Sequence, residues 1–300
     1  MNVLVTGGAG FIGSHLADEL VRQNYKVIVL DNLSSGSLNN LKSIKNKIKF
    51  IKCDLTREKN LTKFLYKVDY VIHLAGLVDV VQSYDKPLKY YKNNFVGTLN
   101  ILKAAKKAKV KKFIYAASAS CYGNSKELPN SEKTKIQILS PYALTKWLAE
   151  SLVIAWSRSY NFSGISLRFF NVYGPRSSNS GSYNAVINIF IKQKLSNKPF
   201  TVVGDGLQTR SFIYVSDVVN AIIKATRSKF SGEIFNIGAN KSIKINEIAK
   251  ILGGKKIHIA KRPGELKHSS ANINKVKRML KWKPKIKLKE GLEKIFEEFF

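Results

Sequence analysis

Cysteine is nearly missing from this chain: two in 300 residues, Cys53 and Cys121. That excludes a scaffold stapled by disulfides. Histidine numbers only four, scattered, with no CxxC or HxxxH spacing, which argues against a built-in metal site. No apolar run approaches the ~18–20 residues that a bilayer-spanning helix needs. Met1-Asn2-Val3-Leu4-Val5 runs straight into a glycine cluster, leaving no room for the basic and apolar regions of a signal peptide. The expected compartment is the cytosol. Acidic residues are also scarce, 20 Asp+Glu against 51 Lys+Arg, for a formal charge of +31.

What remains is ordinary for a folded protein. Hydrophobic residues make up 44% and charged residues 24%, enough for a real core and against disorder. The length fits two ordinary domains or one large α/β unit. Nine of the 51 basic residues are arginine, so 42 are lysine. A nucleic-acid reader leans on arginine for bidentate contacts, and here the excess is lysine. The lysine peaks at residues 103–112 and 275–289 read as solvated faces. An anionic substrate accounts for part of the charge, and nucleic acid stays a minority reading.

Strands and helices alternate. Short β-rich runs fall at residues 3–6, 26–30, 49–51, 70–74, 113–117 and 165–169. Helical periodicity falls at 11–23, at 142–159 and over a long stretch near 88–108, where Tyr91, Phe95, Leu99 and Leu102 share one stripe. Strands apolar on both faces with helices between them predict an α/β, doubly wound parallel sheet of Rossmann type. From about Asn171 the texture changes to Ser/Asn/Gly-rich loops and shorter mixed elements. The expected division is therefore a nucleotide-binding domain over 1–170, with 210–238 returning to it, and a smaller mixed α/β substrate lobe over 171–300.

The cluster Thr6-Gly7-Gly8-Ala9-Gly10-Phe11-Ile12-Gly13 joins the first strand to the first helix. Glycine permits the tight turn and lets backbone approach a pyrophosphate. The helix N-terminus then offers unpaired N–H groups to phosphate. Asp31 ends the second strand, where a carboxylate accepts from ribose hydroxyls and repels a 2′-phosphate, which favours NAD over NADP. Further on, Ser140-Pro141-Tyr142-Ala143-Leu144-Thr145-Lys146 sets Tyr142 and Lys146 one helical turn apart. An ammonium beside a phenol, with a cationic nicotinamide ring, lowers its pKa and makes a general base near neutral pH. Ser118, at the end of an apolar strand, can hold a substrate hydroxyl.

These residues, with His73-Leu74-Ala75-Gly76, Leu167-Arg168-Phe169-Phe170-Asn171-Val172-Tyr173-Gly174-Pro175, Gly204-Asp205-Gly206, Arg210-Ser211-Phe212 and Arg262-Pro263-Gly264-Glu265, resemble an extended short-chain dehydrogenase/reductase. More narrowly the chain resembles the NAD-dependent nucleotide-sugar epimerase/dehydratase family, on the UDP-glucose 4-epimerase side, nearly end to end. The resemblance implies an NAD cofactor held by Gly7, Gly10, Phe11 and Ile12 at the pyrophosphate. Asp31, Asn32, Ser35 and Gly36 would surround the adenosine ribose, and Asp54 and Leu55 the adenine. Leu74, Ala75, Gly76 and Asn93 would line the path to the nicotinamide, whose ribose Lys146 also binds. It implies a UDP-sugar substrate met by Asn171, by Arg210 and Arg262 at the diphosphate, and by Glu265 at the uridine ribose. Ser118, Tyr142 and Lys146 would be catalytic.

The resemblance also narrows the reaction. Dehydratases of the family carry an acidic pair right after the Ser118 position, and decarboxylases share an acid there. Here Ala119 and Ser120 stand instead. That leaves epimerisation at C4, through a 4-keto sugar. The alternatives are a 4-reductase of the same family and a non-catalytic nucleotide- or RNA-binding member. Where hexose-restricted epimerases have a bulky tyrosine, this chain has Ser269, so an N-acetylated sugar is expected to fit as well. Ser211 departs from the usual aspartate after the arginine. A homodimer is expected, through the helices near 88–108 and 142–159, with no membrane partner and nucleic acid disfavoured.

Overall fold

The computed structural model describes residues 1–177, 185–260 and 266–297. The first half alternates strand and helix, with 3₁₀ helices at Leu38–Lys47 and Leu61–Leu65 between the later strands: β1 (Asn2–Thr6), α1 (Phe11–Arg22), β2 (Lys26–Asp31), β3 (Ile48–Lys52) and β4 (Tyr70–His73). Then come α2 (Val80–Asp85), α3 (Pro87–Tyr90), α4 (Gly97–Lys107), β5 (Lys112–Ser118), α5 (Pro141–Ser159) and β6 (Gly164–Phe169). Short elements follow: β7 (Asn171–Tyr173), α6 (Ala185–Leu195), β8 (Phe200–Val203), β9 (Thr209–Arg210) and β10 (Phe212–Tyr214). The chain ends through α7 (Val215–Arg227), β11 (Glu233–Ile237), β12 (Ile243–Lys244), α8 (Ile245–Leu252), β13 (Lys256–Ile259), α9 (Asn274–Leu280) and α10 (Leu288–Glu297).

Seven strands form one parallel sheet in the order β11-β6-β5-β4-β1-β2-β3. Strand side chains alternate between faces, so a sheet covered on both sides needs apolar residues at every position. In β1, Val3 and Val5 join the core under α1 and α7, while Leu4 joins the core under α4 and α5. The sheet order reverses between β1 and β4, and the ligand crevice of such sheets lies above that point. The smaller pairings are β7 with β10, β9 with β12, and β8 with β13. Phe190 of α6 stacks on Phe200 of β8, ring centroids 4.8 Å apart.

Two expectations need correction. The long helix is interrupted: Tyr91–Val96 is a π-helical turn between α3 and α4. Its extra residue per turn rotates the register. The apolar stripe is therefore split, with Tyr91 exposed, Phe95 and Leu99 partly buried and Leu102 buried. The inward face is instead Asn94, Thr98, Ile101, Leu102 and Ala105. The lysine peak at 103–112 is also not wholly solvated. Lys112 is buried, and its ammonium donates to the carbonyls of Ser228 and Phe230.

Candidate active site

One cavity of about 460 Å³ opens at the carboxyl ends of the sheet strands, within the usual size of small-molecule sites. Its cofactor end is the turn after β1. Gly7 has φ +68°, and a Cβ there would fall 2.7 Å from the Ala75 nitrogen. A Cβ on Gly13 would fall 2.1 Å from the Gly7 oxygen. No other residue type fits either position. Gly10 caps α1 without a side-chain hydrogen bond, leaving the first N–H groups of the helix for a ligand, and Gly7, Gly10, Phe11 and Ile12 line the cavity there.

Asp31 fixes the next wall. Its Oδ2 accepts from Ala9 N–H at 3.0 Å and its Oδ1 from Leu33 N–H at 2.8 Å. The same carboxylate thus ties the end of β2 to the glycine turn. Asn32 and Ser35 line the cavity beside it, and Asp54 and Leu55 do so after β3. Gly36 does not; it packs behind the wall, where a Cβ would lie 2.8 Å from the Ala9 carbonyl carbon. Leu74, Ala75, Gly76 and Asn93 continue the wall toward the reacting end. Such a cradle, closed to side chains and rich in backbone donors, fits a dinucleotide diphosphate.

The reacting end comes from β5 and α5. Ser140 starts α5 as its cap, its Oγ accepting from Ala143 N–H at 3.1 Å, and Pro141 takes the first turn. Tyr142 and Lys146 then project from one buried face. Ser118, the last residue of β5, lines the same cavity as Tyr142. The Ser118 Oγ accepts from Ser120 N–H at 3.2 Å, which fixes its position. Lys146 Nζ donates to the Ala116 carbonyl at 2.5 Å and lies 4.5 Å over the Tyr115 ring.

The electrostatics differ from the sequence expectation. Burial pushes the Tyr142 phenol above its ordinary value, and only the Ser118 hydrogen bond opposes it. Burial likewise pulls Lys146 down to about 7, with Glu150 working the other way. The ammonium is engaged by Ala116 and the Tyr115 face, so it does not by itself depress the phenol. Cys121 is held up to about 12 by burial, which removes it as a nucleophile.

Asn171, Arg210 and Ser269 line the far end. Arg210 is buried, with Nη1 donating to the Thr209 carbonyl at 3.0 Å. Ser211 Oγ bonds the backbone of Ala239 in both directions, so it joins β10 to the loop after β11. Ser269 donates its N–H to the Thr209 carbonyl at 3.0 Å. Arg262 and Glu265 lie outside the described residues. Sequence reasoning missed Arg176, which lines the cavity and pairs with Asp18 at 2.6 Å and the Asn40 carbonyl at 3.2 Å. An arginine in so lysine-rich a chain was the available signal. It also missed Ser120, whose buried Oγ has no partner and which lines the same cavity.

A doubly wound parallel sheet, a side-chain-free turn after β1, a strand-end carboxylate and a Ser-Tyr-Lys group together define a nucleotide-dependent protein of the short-chain dehydrogenase type. The NAD dependent epimerase/dehydratase family matches residues 3–238, and the chain belongs to that family, with NAD as its cofactor. It is 40% identical to a putative UDP-glucose 4-epimerase of Methanocaldococcus jannaschii, over 98% of this chain and 96% of that one. Among solved structures it superposes on UDP-glucose 4-epimerase of Thermotoga maritima with UDP-glucose: TM-score 0.95, 35% identity, 100% and 98% of the two chains. It also superposes on UDP-N-acetylglucosamine 4-epimerase of Methanobrevibacter ruminantium in complex with UDP-N-acetylmuramic acid: TM-score 0.94, 36% identity, 99% and 97% covered.

Proposed function

We propose that this enzyme interconverts the C4 epimers of a UDP-hexose: UDP-glucose with UDP-galactose, and their N-acetylated counterparts. The observation that carries this reading is that Ser118, Tyr142 and Lys146 line the same cavity as the glycine turn. No acid follows Ser118 to catalyse loss of water or of carbon dioxide, since positions 119 and 120 are Ala and Ser.

Gly7, Gly10, Phe11 and Ile12 hold the cofactor pyrophosphate, Asp31, Asn32 and Ser35 its adenosine ribose, and Asp54 and Leu55 its adenine. Lys146 and Asn93 serve the nicotinamide half. NAD, when bound, supplies a reversible hydride acceptor. Ser118 orients the sugar 4-hydroxyl, and Tyr142 Oη takes its proton and later returns it. Lys146, together with the positive charge that bound NAD brings, favours the phenolate. Arg210, with Arg262, grips the diphosphate by charge-assisted bonds, while Asn171 and Glu265 meet the rest of the nucleotide. That remote grip retains the 4-keto sugar while it turns over. Ser269 leaves room for an N-acetyl group. Residues 1–170 with 210–238 form the cofactor domain and the remainder the substrate lobe.

The test is incubation with a panel of UDP-hexoses, resolving C4 isomers by NMR and NADH by absorbance. The reading requires isomer exchange without net NADH. Steady NADH accumulation, or no turnover of any UDP-sugar, contradicts it.

A further inference from the structure

His73 ends β4 with its ring buried and both nitrogens engaged. Nδ1 meets Thr6 Oγ1 at 2.6 Å, and Nε2 meets Thr98 Oγ1 at 2.9 Å. The protons can be placed by elimination. Thr98 Oγ1 lies 2.5 Å from the Asn94 carbonyl, which can only accept, so the Thr98 proton goes there. Nε2 must then be the donor to Thr98. A neutral ring leaves Nδ1 as acceptor, so Thr6 donates to it, and Thr6 Oγ1 in turn accepts from Ala75 N–H at 3.3 Å. Burial, with Lys146 adding to it, holds His73 down to about 3, which agrees with a neutral ring.

The result is one directed chain from Ala75 N–H through Thr6, His73 and Thr98 to the Asn94 carbonyl. The Asn94 side chain closes a circuit. Its Oδ1 accepts from Leu77 N–H at 2.7 Å, and its Nδ2 donates to the Leu77 carbonyl at 3.0 Å and to Thr145 Oγ1 at 3.1 Å. Thr145 donates to the Tyr142 carbonyl at 2.9 Å. The cofactor wall at residues 74–77 is thus tied at both ends to one buried network that also reaches the helix of Tyr142. Asn94 is the buried residue of the π-helical turn.

We propose that Thr6, His73, Thr98 and Asn94 act as one positioning unit, with His73 fixed as the Nε2–H tautomer, that holds the cofactor wall in register with α5 and thereby sets NAD retention. The inference rests on the cofactor assignment and not on the choice of sugar, so NAD binding is its readout. Thr6→Val and Thr98→Val keep shape and remove a hydroxyl. Each should weaken NAD binding about tenfold, and because the unit is interrupted once in either case, the double variant should lose little more. Thr98→Ser should restore wild-type retention. Unchanged NAD affinity in both single variants, or losses that multiply to about a hundredfold in the double, would overturn the proposal. The wild-type protein offers a second test that needs no variant. Long-range proton–nitrogen NMR of the His73 ring should show Nε2 protonated and Nδ1 bare throughout neutral pH, and an Nδ1–H or doubly protonated ring would refute the chain. UDP-sugar turnover is measured alongside, so its absence with intact NAD linkage would count against the substrate reading alone.

Discussion

At the scale of single residues, chemistry and placement fall to different side chains. Tyr142→Phe removes only the phenolic oxygen, so turnover should fall by about 10²–10⁴-fold while NAD remains bound. Steady-state assay with cofactor fluorescence measures both, and a near-normal rate defeats the assignment. His73 predicts an acid-labile fold. Its unfolded ring takes a proton below about 6.5, whereas the folded ring resists until about 3. The unfolded state therefore binds more protons in that window, and stability falls as pH drops from 6.5 toward 3, on the order of 4 kcal/mol. Urea unfolding at stepped pH should show the decline, and His73→Gln should flatten it; an equal slope in both would contradict the role. Ser269→Tyr should cut turnover of N-acetylated sugars at least about tenfold and spare the plain hexoses, in paired assays. Much of this was legible in sequence: Gly7, Asp31, Ser118, Tyr142 and Lys146 all line the one cavity. The sign of the Tyr142 shift was not, because burial is a property of the packed site and outweighs a neighbour read from helical spacing.

At the scale of elements, the turn after β1 and the π-helical turn before α4 show opposite degrees of legibility. The turn announces itself, since three glycines at fixed spacing serve a backbone that side chains would obstruct. Gly13→Ala should abolish NAD binding, because its Cβ would enter the Gly7 carbonyl at 2.1 Å; calorimetric titration with NAD checks this, and retained affinity would mean the turn shifts freely. The π-helical turn leaves no such trace. The resemblance placed Asn93 in the site, and regular 3.6-residue counting over 88–108 gave Asn94 no role. One inserted residue per turn puts Asn94 at the centre of the buried network instead. Periodicity finds helices well and misjudges which face is inside once the period changes.

At the scale of the molecule, the alternation of apolar runs was enough to read a doubly wound sheet, because strands covered on both faces leave a nearly continuous hydrophobic signal. The later elements were harder to read: β9 and β12 are two residues each, too short for any pattern. Among the described residues, no helix is long and apolar enough to cross a membrane. Val81, Tyr84, Leu88, Tyr91 and Leu144 remain exposed on α2, α3, the π-helical turn and α5, with Leu88 at 81%. Such exposed apolar residues are what the homodimer expected from the sequence would cover. Light scattering should give twice the chain mass and Leu88→Asp half of that; a monomeric wild type would contradict it. In the proposed reaction one hydrogen leaves C4 and returns to the opposite face without meeting solvent. UDP-glucose deuterated at C4, incubated with the NAD-loaded enzyme in ordinary water, should yield UDP-galactose that keeps its deuterium at C4 with no net NADH. Loss of the label to water, or its accumulation on free cofactor, would contradict the account.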